Sequence, residues 1–231
     1  MLWKKITSVL IAAILTLLLA ACGEKEVPVD PGVITYPGLT WNMTQEDVVK
    51  ALDIDEKGIL PNGKKSSPQQ QVFCVENWEF LGEKGTALFE FYNFGTDRAE
   101  DYFGLRRVVV FYPESADIDS LEKELNAMLG EGKPVRDGKW LIWESEKMCA
   151  EYMEEALAEM KVWNPDRYEE KLKWGEATCV SHVTLHYNAE DGAYMNLAPY
   201  EGWDGTGITV SFYSNHLDLL QYAEFGMNLP E

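Results

Sequence analysis

The sequence predicts an α+β domain in which an antiparallel sheet packs on a few helices. Six segments have the two-residue alternation or the β-branched and aromatic composition of strands, and turn-forming residues separate them. Two other segments carry a helix-capping residue followed by apolar residues at helical spacing. Apolar residues make up 46% of the chain and aromatic residues 12%, which is enough for a hydrophobic core and excludes a disordered chain.

The first 21 residues have the composition of a signal peptide. Met1–Lys5 is short and positively charged, and Ile6–Ala21 is an apolar run of 16 residues with three hydroxyl side chains. A membrane-spanning helix needs about 20 apolar residues, whereas a signal-peptide core is shorter and ends in small residues. We therefore expect residues 1–21 to be removed from the mature protein.

The end of the apolar run, Leu19-Ala20-Ala21-Cys22, resembles the lipobox of bacterial lipoproteins. The resemblance implies cleavage between Ala21 and Cys22, and a diacylglyceryl thioether on Cys22 that anchors the protein to the outer face of the cell membrane, or to an outer membrane. Each buried acyl CH₂ contributes about 0.8 kcal/mol, so paired palmitate-like chains hold a protein firmly. The alternative is an ordinary secretory signal with a chance cysteine.

After the lipidated cysteine, residues 22–38 are expected to form a flexible linker, because they are mostly polar and rich in proline and glycine. Residues 39–231 are expected to form a single domain. Residues 1–21 contain two lysines and no acid, which leaves 39 acidic against 18 basic residues, a net charge of −21, in the remainder. This charge excludes nucleic acid as a partner and disfavours a body that lies on anionic lipid.

The first predicted helix starts after Thr44 and continues to about Leu52. Asp47 stands three residues after Thr44, as in a capping box, and Met43 and Val48 have the spacing of a hydrophobic staple. The polar, glycine- and proline-containing residues that follow the helix are predicted to form a loop, 53–71.

Three strands are predicted to follow: Val72–Phe80, Thr86–Tyr92 and Leu105–Tyr112. Residues 82–85 contain the hairpin signal between the first two. Alternation along the first strand places five side chains on one face: Val72, Cys74, Glu76, Trp78 and Phe80. In the second strand, Leu88, Glu90 and Tyr92 are predicted to oppose Ala87, Phe89 and Phe91.

The same order then recurs. Asp119 is expected to cap a helix over Ser120–Leu129, which Gly130 ends. Later strands are predicted at Trp140–Glu144, Thr178–Tyr187 and Gly207–Tyr213, and an apolar stripe predicts a long helix over Glu146–Lys161 within an inserted segment, 146–174. The order favours two tandem helix-then-three-strand units, 39–115 and 116–231.

The start of the first helix, Trp41-x-Met43-Thr44-x-Glu46-Asp47-Val48, resembles the helix start of small helix-plus-sheet proteins. These families include the outer-membrane-assembly lipoprotein and the secreted β-lactamase inhibitory protein. Asn42 stands where those families have glycine. The resemblance implies a helix-plus-sheet fold, and no activity follows from it because most of the shared residues serve helix capping.

The body contains no motif for serine hydrolysis, phosphate binding or dinucleotide binding. His182 and His186 are the best candidates for metal or acid–base chemistry, but the alternation around them predicts a strand, along which they lie about 13 Å apart. That separation is too large for one metal ion. We therefore expect no metal and no cofactor, and we expect both imidazoles to face solvent beside Thr184, while His216 stands alone.

Three cysteines, Cys74, Cys149 and Cys179, remain after Cys22 is lipidated. In an oxidising compartment they form either one disulfide with one remaining thiol or three buried thiols that act as small apolar side chains. Cys149 and Cys179 lie on apolar faces of their predicted elements, so neither is expected to be an activated nucleophile.

Aromatic side chains are numerous, and seven tryptophans remain after residues 1–21 are removed. Aromatic residues on loops provide rigid contact area at low entropy cost, which suits the binding of glycan or protein. The candidate binding surface consists of Tyr194, Tyr200 and Trp203 in a glycine-rich loop, 189–207, with Trp163 and Trp174 after the insertion helix. The alternative is that these side chains pack back on the sheet edge.

Two functions are consistent with these features. The first is a membrane-anchored, non-enzymatic surface lipoprotein that binds or scaffolds a protein or glycan partner at the cell envelope. The second is an envelope hydrolase that acts on glycan or peptidoglycan through a pair of carboxylates, since two acids suffice for glycoside chemistry. The missing catalytic motif favours the first.

Overall fold

The structure, a computed structural model, describes residues 32–61, 70–93, 103–135, 138, 140–146, 161–162, 165, 179–187 and 207–215. Its helices are α1 (Gln45–Ala51) and α2 (Ile118–Leu129), with a 3₁₀ turn at Glu56–Gly58. Its strands are β1 (Ile59–Pro61), β2 (Gln70–Phe80), β3 (Glu83–Asn93), β4 (Phe103–Tyr112), β5 (Lys133–Val135), β6 (Trp140–Glu144), β7 (Ser181–Tyr187) and β8 (Ile208–Ser214). The predicted combination of an antiparallel sheet with a few helices is present among these residues, and the sheet dominates it.

The eight strands that the described residues form belong to one antiparallel sheet with the order β1-β2-β3-β4-β8-β7-β6-β5. In chain order, α1 precedes β1 to β4, and α2 precedes β5 to β8. The prediction of three strands after each helix is therefore wrong by one strand in each case. β1 lies inside the predicted loop 53–71, and both β1 and β5 have only three residues, too few for an alternating pattern.

Helix α1 begins with the predicted capping box. The Thr44 hydroxyl accepts a hydrogen bond from the backbone N–H of Asp47 at 3.1 Å, and the Thr44 backbone N–H donates to the Asp47 carboxylate at 3.1 Å. Hydrogen bonds from the Thr44 side chain and backbone to this carboxylate lower the pKa of Asp47. Two of the helix's otherwise unpaired N-terminal groups are thereby satisfied.

Helix α2 has a different cap from the predicted one. Asp117, two residues before Asp119, accepts hydrogen bonds from the backbone N–H groups of Asp119 and Ser120 at 3.1 and 3.3 Å. The sequence offers two aspartates at this boundary, and the earlier one becomes the cap because Ile118 already packs against the core. The predicted end is confirmed, since Gly130 stops the helix with a φ of 88°.

The main core lies between the two helices and one face of the sheet, which we call the first face. Val48 from α1, and Leu121 and Leu125 from α2, are completely buried there. The central side chains from the sheet are contributed by its middle strands: Phe73, Ala87, Phe89, Val108, Val110, Val183, Leu185, Val210 and Phe212. Cavity-forming truncations in such a cluster cost about 2–5 kcal/mol each.

The chain joins this core before Leu39. Tyr36 is buried, and its ring lies 5.2 Å from that of Phe212 and 4.8 Å from that of Phe80. Its hydroxyl accepts a hydrogen bond from the Trp78 indole at 2.8 Å, while burial raises the pKa of Tyr36 to about 12. The packed part of the chain therefore includes the last residues of the segment 22–38.

Strand β2 does not keep one set of side chains on one face. Its pairing with β3 shifts between Val75 and Trp78, at a bulge where Asn77 has a φ of 56°. Trp78 and Phe80 consequently pack against the main core, together with Tyr36. Val72 and Cys74 point to the opposite face, so the predicted set of five on one face is wrong.

The predicted hairpin between β2 and β3 is confirmed, with its turn slightly earlier in the chain. Leu81 and Gly82 form the two-residue connection, with φ angles of 56° and 79°. Two consecutive positive φ angles give the turn a twist that matches the strands. The alternation predicted for β3 is also confirmed, because Ala87, Phe89 and Phe91 lie in the main core.

The edge strands are protected against further pairing. β1 and β5 are short, and each contains a proline, Pro61 and Pro134, which cannot donate to a ladder.

In the described part of the chain, no helix has both the length and the apolar character needed to cross a membrane. The predicted helix Glu146–Lys161 lies almost entirely outside the described residues.

Candidate functional site

The face of the sheet opposite the helices, the second face, is polar across its centre. Near β2, β3 and β4 it carries a small apolar cluster of five residues: Val72, Cys74, Leu88, Val109 and Phe111. Beside this cluster, strands β7 and β8 contribute polar side chains that are buried: His182, Thr184, His186, Thr209 and Ser211. Buried polar groups on this scale are uncommon in a sheet and mark the second face as the candidate site.

On the second face, five neighbouring strands of the sheet each contribute one side chain to a continuous row. The register places Glu90 of β3 opposite Arg107 of β4, then Tyr213 of β8, His182 of β7 and Glu144 of β6. Directly opposite side chains in antiparallel strands lie within contact distance of one another. We call these five residues the polar row.

At one end of the polar row, a completely buried carboxylate is paired with two guanidinium groups. Arg107 Nη2 lies 2.5 Å from Glu90 Oε2, and Arg106 Nη1 lies 3.8 Å from Glu90 Oε1. The Gln70 side chain also donates to this carboxylate. Charge-assisted contacts of this kind offset the large cost of removing the charges from water.

A shift in register allows both arginines to reach the same carboxylate. Between β3 and β4 the pairing shifts at Glu90 and Phe91, so that Arg106 is an extra residue in β4. The Arg106 guanidinium lies 4.1 Å from the centre of the Tyr92 ring. This cation–π contact places Arg106 on the second face beside Arg107.

The centre of the row is aromatic. The Arg107 guanidinium lies 5.3 Å from the centre of the Tyr213 ring, and that ring stacks on His182 with centroids 4.7 Å apart and planes 14° from parallel. Cation–π and stacking contacts together connect the charge on β4 to the imidazole on β7.

The other end of the row is open to solvent. Glu144 Oε2 lies 2.6 Å from Lys133 Nζ, and the Lys133 side chain is 69% exposed. The hydrogen bond to Glu144 and its charge raise the pKa of Lys133. An exposed pair of this kind contributes at most about 1 kcal/mol, so the two ends of the row differ in strength.

The two histidines of β7 share one strand face with Thr184, as predicted, but the expectation that they face solvent is wrong. His182 is 4% exposed and His186 is fully buried, with its ring 4.1 Å from that of Trp140. The prediction assumed that an antiparallel sheet has one solvated face. Here the second face is also buried at its centre, where the Thr184 and Ser211 hydroxyls have no hydrogen-bond partner among the described residues.

The row does not have the geometry of a metal centre or of a glycosidase pair. Within the described ranges, no three His, Cys, Asp or Glu side chains are placed to hold a metal ion. Glu90 and Glu144 are four strands apart in the sheet, about 19 Å at the usual strand spacing. Glycosidase carboxyl pairs stand about 5–9.5 Å apart.

Most of the residues that the sequence proposed as sites lie outside the described part of the chain. They are the lipidation and cleavage residues Ala21 and Cys22, the candidate binding surface of Trp163, Trp174, Tyr194, Tyr200 and Trp203, and also Cys149 and His216. Cys74 and Cys179 are described, and both are buried. Cys179 is 2% exposed, which supports a packing role, and the Asn215 side chain donates to its backbone oxygen at 3.1 Å.

The polar row itself was not predicted, although the sequence contains a signal for it. Glu90 is the lone charge in the predicted strand Thr86–Tyr92, and Arg106 and Arg107 precede a run of apolar residues. Charges in such positions need partners from a neighbouring strand.

No protein-family model matches the chain, and neither does any curated protein or solved structure.

Proposed function

We propose that the protein is a lipid-anchored surface lipoprotein whose domain acts as a binding or scaffolding module at the cell envelope. The observation that carries the proposal is the sequence Leu19-Ala20-Ala21-Cys22 at the end of an apolar run of signal-peptide length. A packed domain follows after a short spacer, since Tyr36 is already part of the core. This arrangement suits a folded module that is held outside the cell by its modified N-terminus.

The cations that pair with the two acids of the polar row support binding rather than hydrolysis as the function of the domain. A general acid or base must be able to exchange its proton with a substrate. Glu90 is enclosed between two guanidinium groups, and Glu144 is paired with Lys133. In both pairs a cation occupies the carboxylate, which suits a structural or binding role.

We also propose that the domain arose from two tandem helix-and-strand units. The repeated order of elements supports this, as does the similar spacing from cap to strand: β1 begins fifteen residues after Thr44, and β5 begins sixteen after Asp117. Two glycines support it further. Gly104 in β4 has a φ of 112° and Gly207 before β8 a φ of 109°, and each is closely approached by the chain that leads to a helix.

Replacing Cys22 with serine is expected to remove the lipid and release the domain. Serine cannot form the thioether, so metabolic labelling with a fatty acid should be lost and the protein should move from the membrane fraction to the medium. The matched control is Gly23→Ser, which changes the neighbouring residue and keeps the thiol. Lipid labelling that persists in Cys22→Ser would contradict the proposal.

Replacing Trp203 with alanine is expected to weaken binding without changing the melting temperature. Aromatic side chains dominate many binding surfaces, and truncating one weakens the free energy of binding by about 1–4 kcal/mol. Cosedimentation with insoluble peptidoglycan and thermal melting measure the two effects. The control is Trp140→Ala, which removes a buried side chain and should lower the melting temperature. If Trp203→Ala lowered the melting temperature as much as Trp140→Ala, Trp203 would be a core residue and the binding surface would be contradicted.

A further inference from the structure

Two hydrogen bonds fix the point at which the chain enters the domain. The Ile34 backbone N–H donates to the Ser181 hydroxyl at 2.8 Å, and the Trp41 indole donates to the Ile34 backbone oxygen at 3.0 Å. Ser181 is the first residue of β7. The N-terminal segment therefore enters the domain at one end of the sheet.

The antiparallel order defines two ends for the central strands. Ser145, Ser181 and Ser214 lie together at one end, which we call the tether end. The Ser145 backbone N–H donates to the Ser181 backbone oxygen at 2.9 Å, and Ser181 pairs with Ser214. Tyr112, Tyr187 and Ile208 lie together at the other, the far end. The two ends are separated by about 20 Å along β7 at the usual rise of a strand.

The connection from Cys22 to the tether end is short. The segment between Cys22 and Gly32, the first described residue, has nine residues. Ten residue steps from Cys22 to Gly32 reach at most about 33–36 Å, whatever the conformation of the chain. An anchor at Cys22 therefore keeps the tether end closer to the membrane than the far end for most orientations of the domain.

Charge keeps the far end from resting on anionic lipid, although the tether end also carries exposed acids, Glu46 and Glu146. The chain that leaves β4 at the far end carries Glu114 and Asp117 before α2 and Asp119 in its first turn, all exposed. Residues 108–122 contain no lysine or arginine. Anionic headgroups repel such a surface over about one Debye length, roughly 10 Å at 0.1 M salt.

We propose that the lipid anchor holds the domain with the tether end toward the membrane and the far end directed away from it. This inference rests on the proposed lipidation of Cys22. Tyr187 and Gly207, which flank the aromatic segment 188–206, then belong to the outward end of the sheet. The membrane then lies on the side of Ser145 and Ser181, where the N-terminal segment enters the domain.

Energy transfer to labelled lipid tests this orientation. The full mature lipoprotein is reconstituted in vesicles of phosphatidylcholine and phosphatidylglycerol that carry an acceptor on the headgroup. A donor is attached through an unnatural amino acid at Glu146, beside the tether end, or at Tyr187 or Glu114, at the far end. All three positions are exposed, so the label leaves the core intact. Matched soluble controls carry Cys22→Ser.

The expected result is transfer from Glu146 that is at least about twofold more efficient than from either far-end position, because these stand about 20 Å further away. Equal transfer from all three, or stronger transfer from Tyr187, would overturn the orientation while leaving the anchor intact. Transfer from no position in the reconstituted protein, as in the Cys22→Ser control, would instead overturn the anchor itself.

Discussion

Replacing Glu90 with glutamine is expected to lower the free energy of unfolding by about 3–5 kcal/mol, the usual cost of removing one partner from a buried ion pair. The shape of the side chain is kept, so no cavity forms. The loss arises because Arg107, at 2.5 Å, and Arg106, at 3.8 Å, both lose the charge that offsets their desolvation. Urea denaturation followed by tryptophan fluorescence measures the change.

The chain provides a matched control in Glu144→Gln. Glu144 lies in the same polar row and is also paired with a cation, but Lys133 is largely exposed. Its replacement should cost no more than about 1 kcal/mol. The same small effect in Glu90→Gln and Glu144→Gln would contradict a stabilising role for the buried ion pair between β3 and β4.

Adding a methyl group at Gly104 or Gly207 is expected to destabilise the domain by about 2–5 kcal/mol, the sum of a strained backbone and an overpacked contact. A Cβ at Gly104 would lie 2.4 Å from the backbone carbon of Asn42, and one at Gly207 would lie 2.4 Å from the backbone oxygen of Tyr112. In both cases the obstacle is backbone that a side-chain rotation cannot relieve. Thermal melting of Gly104→Ala and Gly207→Ala measures the loss.

Two other glycines separate the contributions of strain and contact. Gly82 and Gly138 also have positive φ angles, 79° and 82°, but no heavy atom of another described residue lies within 4 Å of an added Cβ. Gly82→Ala and Gly138→Ala should therefore lower the stability of the domain only through strain at the positive φ angle, by about 1 kcal/mol. Tolerance at Gly207 with intolerance at Gly104 would contradict the two-unit origin of the domain.

The elements that depend on local sequence could be predicted well. The capping box of Thr44 and Asp47, the end of α2 at Gly130 and the alternation of β3 all follow from residues a few positions apart. Such features are decided by backbone groups and side chains within one turn or one strand. The α+β class followed from the same local patterns.

Features that depend on pairing between strands could not be predicted. The bulge in β2 and the extra residue Arg106 in β4 shift which side chains share a face, and nothing in either strand alone sets those shifts. The contact of Glu90 with Arg107 depends on the register across the connection from β3 to β4. The burial of His182 and His186 depends on the second face being covered, which alternation within β7 does not reveal.

The mass of the N-terminal peptide of the mature protein tests the lipid anchor most directly. Trypsin should release Cys22–Lys25 as the first peptide, because lysine stands four residues into the mature chain. The proposal predicts that this peptide begins at Cys22 and carries a diacylglyceryl group on sulfur. A first peptide with unmodified Cys22, or one that still contains residues from 1–21, would contradict it.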